Sequence, residues 1–113
     1  MPCHHSQSKL TTCHAHPQVQ GWIDMSTSET MIRVELAGHD LGVFHGMANK
    51  ALRINLRLQF VHGTVILELN PFDELWLHVD TVRADKKERF SIFDCKKSEL
   101  LQRCSGVSCE TWV

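Results

Sequence analysis

Leu52-Arg53-Ile54-Asn55-Leu56-Arg57-Leu58-Gln59-Phe60 alternates apolar and polar side chains without a break. A period of two is the signature of a strand with one buried face, so this stretch predicts a β-strand. Leu52, Ile54, Leu56, Leu58 and Phe60 form its inner row, and Arg53, Asn55, Arg57 and Gln59 its outer row. The next residues extend the pattern. Taking His62-Gly63 as a two-residue turn sets Val61 opposite Thr64, Phe60 opposite Val65, Leu58 opposite Leu67 and Leu56 opposite Leu69. The same register places Arg57 across from Glu68, a favourable cross-strand ion pair.

Outward from this hairpin the period persists. Asn70-Pro71-Phe72-Asp73 reads as a turn, because proline cannot donate within a central ladder. A second hairpin is expected around a loop at Ala84 to Lys87, with Thr81 facing Phe90, Val79 facing Ile92 and Arg83 facing Glu88. Upstream, Trp22 to Met25 and Thr30 to Leu36 predict a further hairpin across Ser26 to Glu29. Gly38 to Gly46 is rich in turn formers and resists assignment. Asp94 is suited to cap a short helix over Lys96 to Cys104, with Leu100, Leu101 and Cys104 as its apolar side and Gly106 as its stop. The expectation is an all-β domain with a small α-helical addition. It would be an antiparallel sandwich or barrel of six to seven strands with one short C-terminal helix.

The whole chain has 113 residues, 42% hydrophobic and 22% charged, with a net charge of −1. That is one domain's worth of sequence, able to bury a core without metal or disulfide support. Residues 1–18 read as a flexible tail containing cysteine and histidine, 19–104 as the β-rich domain and 105–113 as an extended tail. Charge is uneven: Asp24 to His45 is acidic and Arg83 to Arg103 basic, too mild a split to imply nucleic acid alone. There is no secretory-type leader pattern and no apolar run of membrane-spanning length. Five cysteines, clustered toward the two ends, do not resemble a disulfide framework, so a reducing, cytoplasmic setting is expected.

Chemistry is sparse. Cys3, His4, His5, Cys13, His14 and His16 offer soft donors, but their spacing matches no closed zinc pattern, and no metal or other cofactor is assigned. His78-Val79-Asp80 places imidazole and carboxylate on one strand face, yet no histidine follows His78 to complete an iron-binding facial triad. Cys95, followed by Lys96 and Lys97 at an expected helix start, has the surroundings that favour a thiolate. The phosphatase-type arginine six residues on is absent, since that position is Leu101. No enzymatic activity is expected. Arg53, Asn55, Arg57 and Gln59 would make a polar and basic strand face of the kind small barrels use for single-stranded nucleic acid. That is the alternative function. Asn70-Pro71-Phe72 resembles the tripeptide that EH domains capture, although a turn accounts for it, with Phe72 packed.

The chain ends Glu110-Thr111-Trp112-Val113. These four residues resemble a class I PDZ ligand, in which Ser or Thr, any residue and a terminal apolar residue are read together. The resemblance implies a protein partner that takes the segment as an added strand. A nest of backbone N–H groups would hold the Val113 carboxylate, an apolar pocket its side chain, and a partner histidine the Thr111 hydroxyl. Ser105 to Cys109 is small and polar and is expected to let the end extend freely. The leading expectation is therefore a non-enzymatic intracellular binding module or adaptor, of undetermined oligomeric state.

Overall fold

The computed structural model describes residues 17–36, 38–83 and 95–110. Within them the alternation at 52–60 does make a strand, but one that stops at Arg57. Eight strands occur among the described residues: β1 Pro17–Asp24, β2 Glu29–Leu36, β3 His39–Met47, β4 Leu52–Arg57, β5 Val61–Leu69, β6 Glu74–Arg83, β7 Cys95–Arg103 and β8 Ser108–Glu110. They form two four-stranded sheets, ordered β3-β2-β1-β8 and β4-β5-β6-β7. Every neighbouring pair is antiparallel. A single buried cluster draws Val19, Ile23, Ile32 and Val34 from the first sheet and Ile54, Val65, Leu67, Leu77 and Val79 from the second. The protein is thus a β-sandwich, as the alternating rows require: each sheet hides one face only when another sheet covers it.

The β1–β2 hairpin forms where expected, with Ile23 opposite Thr30 and Trp22 opposite Met31. Its turn, Met25 to Ser28, is fastened by Asp24. The Asp24 carboxylate accepts the Ser26 hydroxyl at 2.7 Å and the Ser26 N–H at 2.9 Å. β1 begins at Pro17, so Pro17 and Gln18 belong to the sheet rather than to a tail. Residues 1–16 of the expected tail lie outside the described residues. The stretch that resisted assignment is β3, which pairs along β2 with a bulge between Val34 and Glu35.

The β4–β5 hairpin differs from the sequence expectation in register. The turn is Gln59-Phe60, closed by Leu58 N–H donating to the Val61 carbonyl at 3.0 Å. Leu52 therefore faces Leu67, Leu56 faces Gly63 and Arg57 faces His62. The slip is an even number of residues, so the inner row stays inner while every partner changes. The expected Arg57–Glu68 pair does not form. Gly63 is the cause. It lies inside β5 at φ +141°, and a Cβ there would meet the Asp80 carbonyl and sit 2.7 Å from Thr81 Cα. This glycine permits close backbone approach within a strand and does not turn one.

The Asn70 to Asp73 turn is present. The Asn70 side-chain oxygen accepts the Phe72 N–H at 2.9 Å and the Glu74 N–H at 3.0 Å, and Asp73 adopts a left-handed conformation at φ 59°. Phe72, expected to pack, is 79% exposed.

The largest departure is the terminal helix. Residues 96–104 are not helical: Cys95–Arg103 is β7, paired along β6 with Thr81 opposite Cys95 and Val79 opposite Lys97. This also displaces the expected Thr81–Phe90 and Val79–Ile92 pairs. Phe90, Ile92, Glu88 and Asp94 lie outside the described residues. Local helix signals lose here because β6 would otherwise present a long unsatisfied ladder beside the core. Lys97 accordingly turns inward, its side chain 1% exposed, and meets the Glu99 carboxylate at 2.6 Å.

Two carboxylates link this frame to pH. Hydrogen bonds from the Ser26 hydroxyl and N–H hold the Asp24 carboxyl below its usual range. The Asn70 amide, with the Trp76 indole and Arg103 adding smaller effects, does the same for Glu74. A carboxyl depressed in the folded state contributes stability that is present above its unfolded pKa and lost as pH falls through the folded one. Urea midpoints are thus expected to decline as pH falls below the ordinary carboxylate range. Glu74→Gln should flatten that decline, and an unchanged slope would show that the carboxylate has no part in it.

Candidate functional site

Two regions carry the residues singled out from the sequence: the C-terminal end of the chain and the outer face of the β4–β7 sheet.

At the C-terminal end, the chain leaves β7, turns through exposed Ser105, Gly106 and Val107, and returns as β8 on the other sheet. Asp24, Ile23 and Trp22 of β1 face Ser108, Cys109 and Glu110 respectively. The Met25 N–H donates to the Val107 carbonyl at 2.9 Å, extending the ladder by one bond. Cys109 points inward and is 4% exposed. It is disulfide-bonded to Cys104, itself 5% exposed, across a Cα–Cα distance of 5.5 Å. The Gln102 amide reaches Cys109 Sγ at 2.7 Å. Glu110 is exposed. With Gln20, Trp22, Met31, Arg33 and Val43 it lines a shallow depression of about 400 Å³ on the outer face of β1–β3. Thr111, Trp112 and Val113 lie outside the described residues.

Two expectations change here. Ser105 to Cys109 does not extend freely, because a disulfide and a short ladder fasten it. The cysteines are also not without disulfides: besides Cys104–Cys109, Cys95 is buried and disulfide-bonded. A bonded sulfur offers no thiolate, so the reactive-cysteine reading of Cys95 falls. The expectation of a reducing setting loses the premise on which it was built. Cysteine spacing alone did not reveal the pairing, since Cys104 and Cys109 come together only because β8 folds back onto β1.

On the second sheet, β4 is an edge strand, and Arg53, Asn55 and Arg57 are exposed along its outer face. Gln59 is exposed too, but in the turn rather than in the row. Arg53 lies beside Ile66, Asn55 beside Thr64 and Arg57 beside His62. Asn55, Arg57, His62 and Thr64 border a shallow depression of about 530 Å³. Because Glu68 is six residues out of register with Arg57, it does not neutralise that guanidinium. Glu68 instead lies 3.1 Å from His78 Nε2, and the opposite ring nitrogen of His78 lies 2.8 Å from the Ser98 hydroxyl. The Trp76 and His78 rings stack, with centroids 6.4 Å apart and planes inclined by 6°. The sheet thus adds an aromatic pair to a face whose own strand has none, a contribution from β6 that only cross-strand adjacency supplies.

His78 and Asp80 do share the outward face of β6. The His78 ring nitrogens are occupied by Ser98 and Glu68, which makes it a cross-strand hydrogen-bonding residue. Among the described residues, no group of three or more His, Cys, Asp and Glu side chains is placed to hold a metal ion. The Cys/His-containing segment of residues 3–16 is outside them. Asn70 uses its amide within the turn and on Glu74 Oε1, at 2.8 Å. That leaves little of it for an EH-type pocket, exposed though Phe72 is.

No family model matches the chain, and comparison with curated proteins and with solved structures finds no significant similarity. The reading of function therefore rests on the sequence and on the geometry of the described residues. No helix among the described residues is long and apolar enough to cross a membrane.

Proposed function

We propose that the protein is a non-enzymatic β-sandwich binding module whose last four residues, Glu110, Thr111, Trp112 and Val113, serve as a class I PDZ ligand. The observation that supports this reading is the extended edge strand β8. It delivers the chain to Glu110 in strand conformation at the border of a sheet, with the Glu110 side chain exposed. An added strand is the form in which such a ligand is taken.

A peptide ending at Val113 is expected to bind class I PDZ domains with a Kd of about 1–100 μM, a range usual for short linear ligands whose ordering cost is met on binding. Thr111→Ala, or amidation of the terminal carboxylate, should weaken binding at least about tenfold by leaving a buried partner group without its hydrogen bond. Fluorescence anisotropy decides the matter: equal affinity for the free-acid and amidated peptides would end this reading.

A second reading keeps one specific observation in its favour. The face bearing Arg53, Asn55 and Arg57 also carries the stacked Trp76–His78 pair, and Arg57 has His62, not an acid, across from it. Basic groups beside an aromatic platform suit single-stranded nucleic acid. Binding of an unstructured oligonucleotide would then weaken steeply with salt, and further in Arg53→Ala and Arg57→Ala. An affinity indifferent to salt would remove it.

A further inference from the structure

We infer that the end of the sandwich carrying Phe72 and Val107 is a protein-docking surface. Its partner offers an apolar pocket for the Phe72 ring, with lysine and arginine at the rim. This surface is separate from the C-terminal ligand proposed above and stands or falls without it.

Four connections meet at this end: the β1–β2 turn at Met25 to Ser28, the link from β3 to β4 at Ala48 to Ala51, the β5–β6 turn at Asn70 to Asp73, and the β7–β8 loop at Cys104 to Val107. Pro17, Leu36, Arg83 and Cys95 all lie at the opposite end, and β8 runs away from this one. The surface is therefore built wholly of described residues. Of the large apolar side chains exposed among them, the two most exposed are here, Val107 at 82% and Phe72 at 79%. Their loops are tied to each other, because the Cys104 N–H donates to the Asp73 carbonyl at 2.8 Å. Met25, whose N–H bonds the Val107 carbonyl, borders with Pro71 a shallow depression of about 250 Å³. One exposed apolar residue is ordinary, but two on joined loops at one end mark an interaction site.

The Phe72 turn is already set for binding. The Asn70 side-chain oxygen accepts the Phe72 and Glu74 N–H groups, and the Asn70 carbonyl accepts the Asp73 N–H at 3.1 Å. Asn70 is thus the frame and Phe72 the anchor. An aromatic ring on a fixed turn has little backbone freedom left to lose, and anchors of this kind carry most of the energy of an interface. Charge decides what the partner must be. Asp24, Glu29, Asp73 and Glu74 stand in or beside these connections against Lys50 and Arg103, and Arg103 is engaged with Glu74 at 3.3 Å. Asp73 follows Phe72 directly, and Asp24 is the ladder partner of Ser108, the residue after Val107. An acidic border round an apolar centre repels the same end of a second copy and an anionic membrane alike. It attracts a cationic rim.

The test pans a random peptide library displayed on phage against the full chain, then measures the selected peptides, synthesised and labelled, by fluorescence anisotropy. They should carry an excess of lysine and arginine beside apolar residues and bind with a Kd of about 1–100 μM. Affinity should fall at least about tenfold for Phe72→Ser and about threefold for Val107→Ser and for Asp73→Asn. It should also weaken as salt rises from about 50 mM to about 500 mM. Phe72→Ser and Val107→Ser should leave the urea midpoint unmoved, since both side chains are exposed, so that lost binding is not lost folding. Equal affinity for Phe72→Ser and the unaltered chain overturns the inference, as does a selection that yields no binders. Peptides without basic residues overturn the charge of the partner. Sedimentation velocity and flotation with phosphatidylcholine vesicles complete the test. Phe72-dependent self-association would make the occupant a second copy, and Phe72-dependent flotation would make it a membrane; either result overturns the inference.

Discussion

Replacing Leu67 with alanine is expected to lower the unfolding free energy by about 3–5 kcal/mol, a large fraction of the roughly 5–15 kcal/mol of an ordinary domain. Leu67 is fully buried in β5, a central strand of its sheet, with Leu52 on one side and Leu77 on the other. Truncation removes the side chain's transfer free energy and leaves a cavity that flanking strands cannot close, because both are tied to β5 by continuous ladders. Ile66→Ala provides the contrast. Its side chain is half-buried on the outer face, where solvent fills the space, and a loss of about 1 kcal/mol is expected. Urea unfolding with an unchanged m-value would measure both. If the two variants lose the same stability, Leu67 is not where the two sheets meet.

Gly63→Ala is expected to cost about 3 kcal/mol or more, although it adds one methyl group. Part is backbone strain, since φ of +141° is hostile to a residue with a Cβ, and such conformations cost roughly 1–3 kcal/mol. The rest is collision. The added carbon would strike the Asp80 carbonyl and approach Thr81 Cα, and backbone atoms of a paired strand cannot rotate away as a side-chain tip can. The measurement also discriminates between registers. Were Gly63 the second residue of an exposed two-residue turn, alanine would cost only about 1 kcal/mol. A small loss would therefore reinstate the His62-Gly63 turn and reject the Gln59-Phe60 one.

These two residues show how far the amino-acid pattern reaches. Leu67 is expected on the inner face as the partner of Leu58, and it is on that face, though opposite Leu52. Gly63 was assigned to a turn by the same inspection, and it lies in a strand, because a glycine is demanded equally by a turn and by a close interstrand approach. The resemblance of the last four residues to a PDZ ligand is a reading of the sequence, whereas the Cys104–Cys109 disulfide has no counterpart in that reading. Cys104 and Cys109 become neighbours in space only after the chain crosses from one sheet to the other. Trp76 likewise shares a face with Arg53 and Asn55 only because β5 and β6 lie side by side.

Local periodicity was enough to establish that this chain is built of antiparallel strands with a defined inner face, since side chains alternate whatever the partner strand is. Register, and the choice of strand over helix at Cys95 to Arg103, depended on the assembled sandwich. A slip of six residues leaves every inner side chain inside, so the pattern is blind to it. An apolar cluster such as Leu100, Leu101 and Cys104 suits a helix until the open edge of β6 requires hydrogen bonds along its whole length.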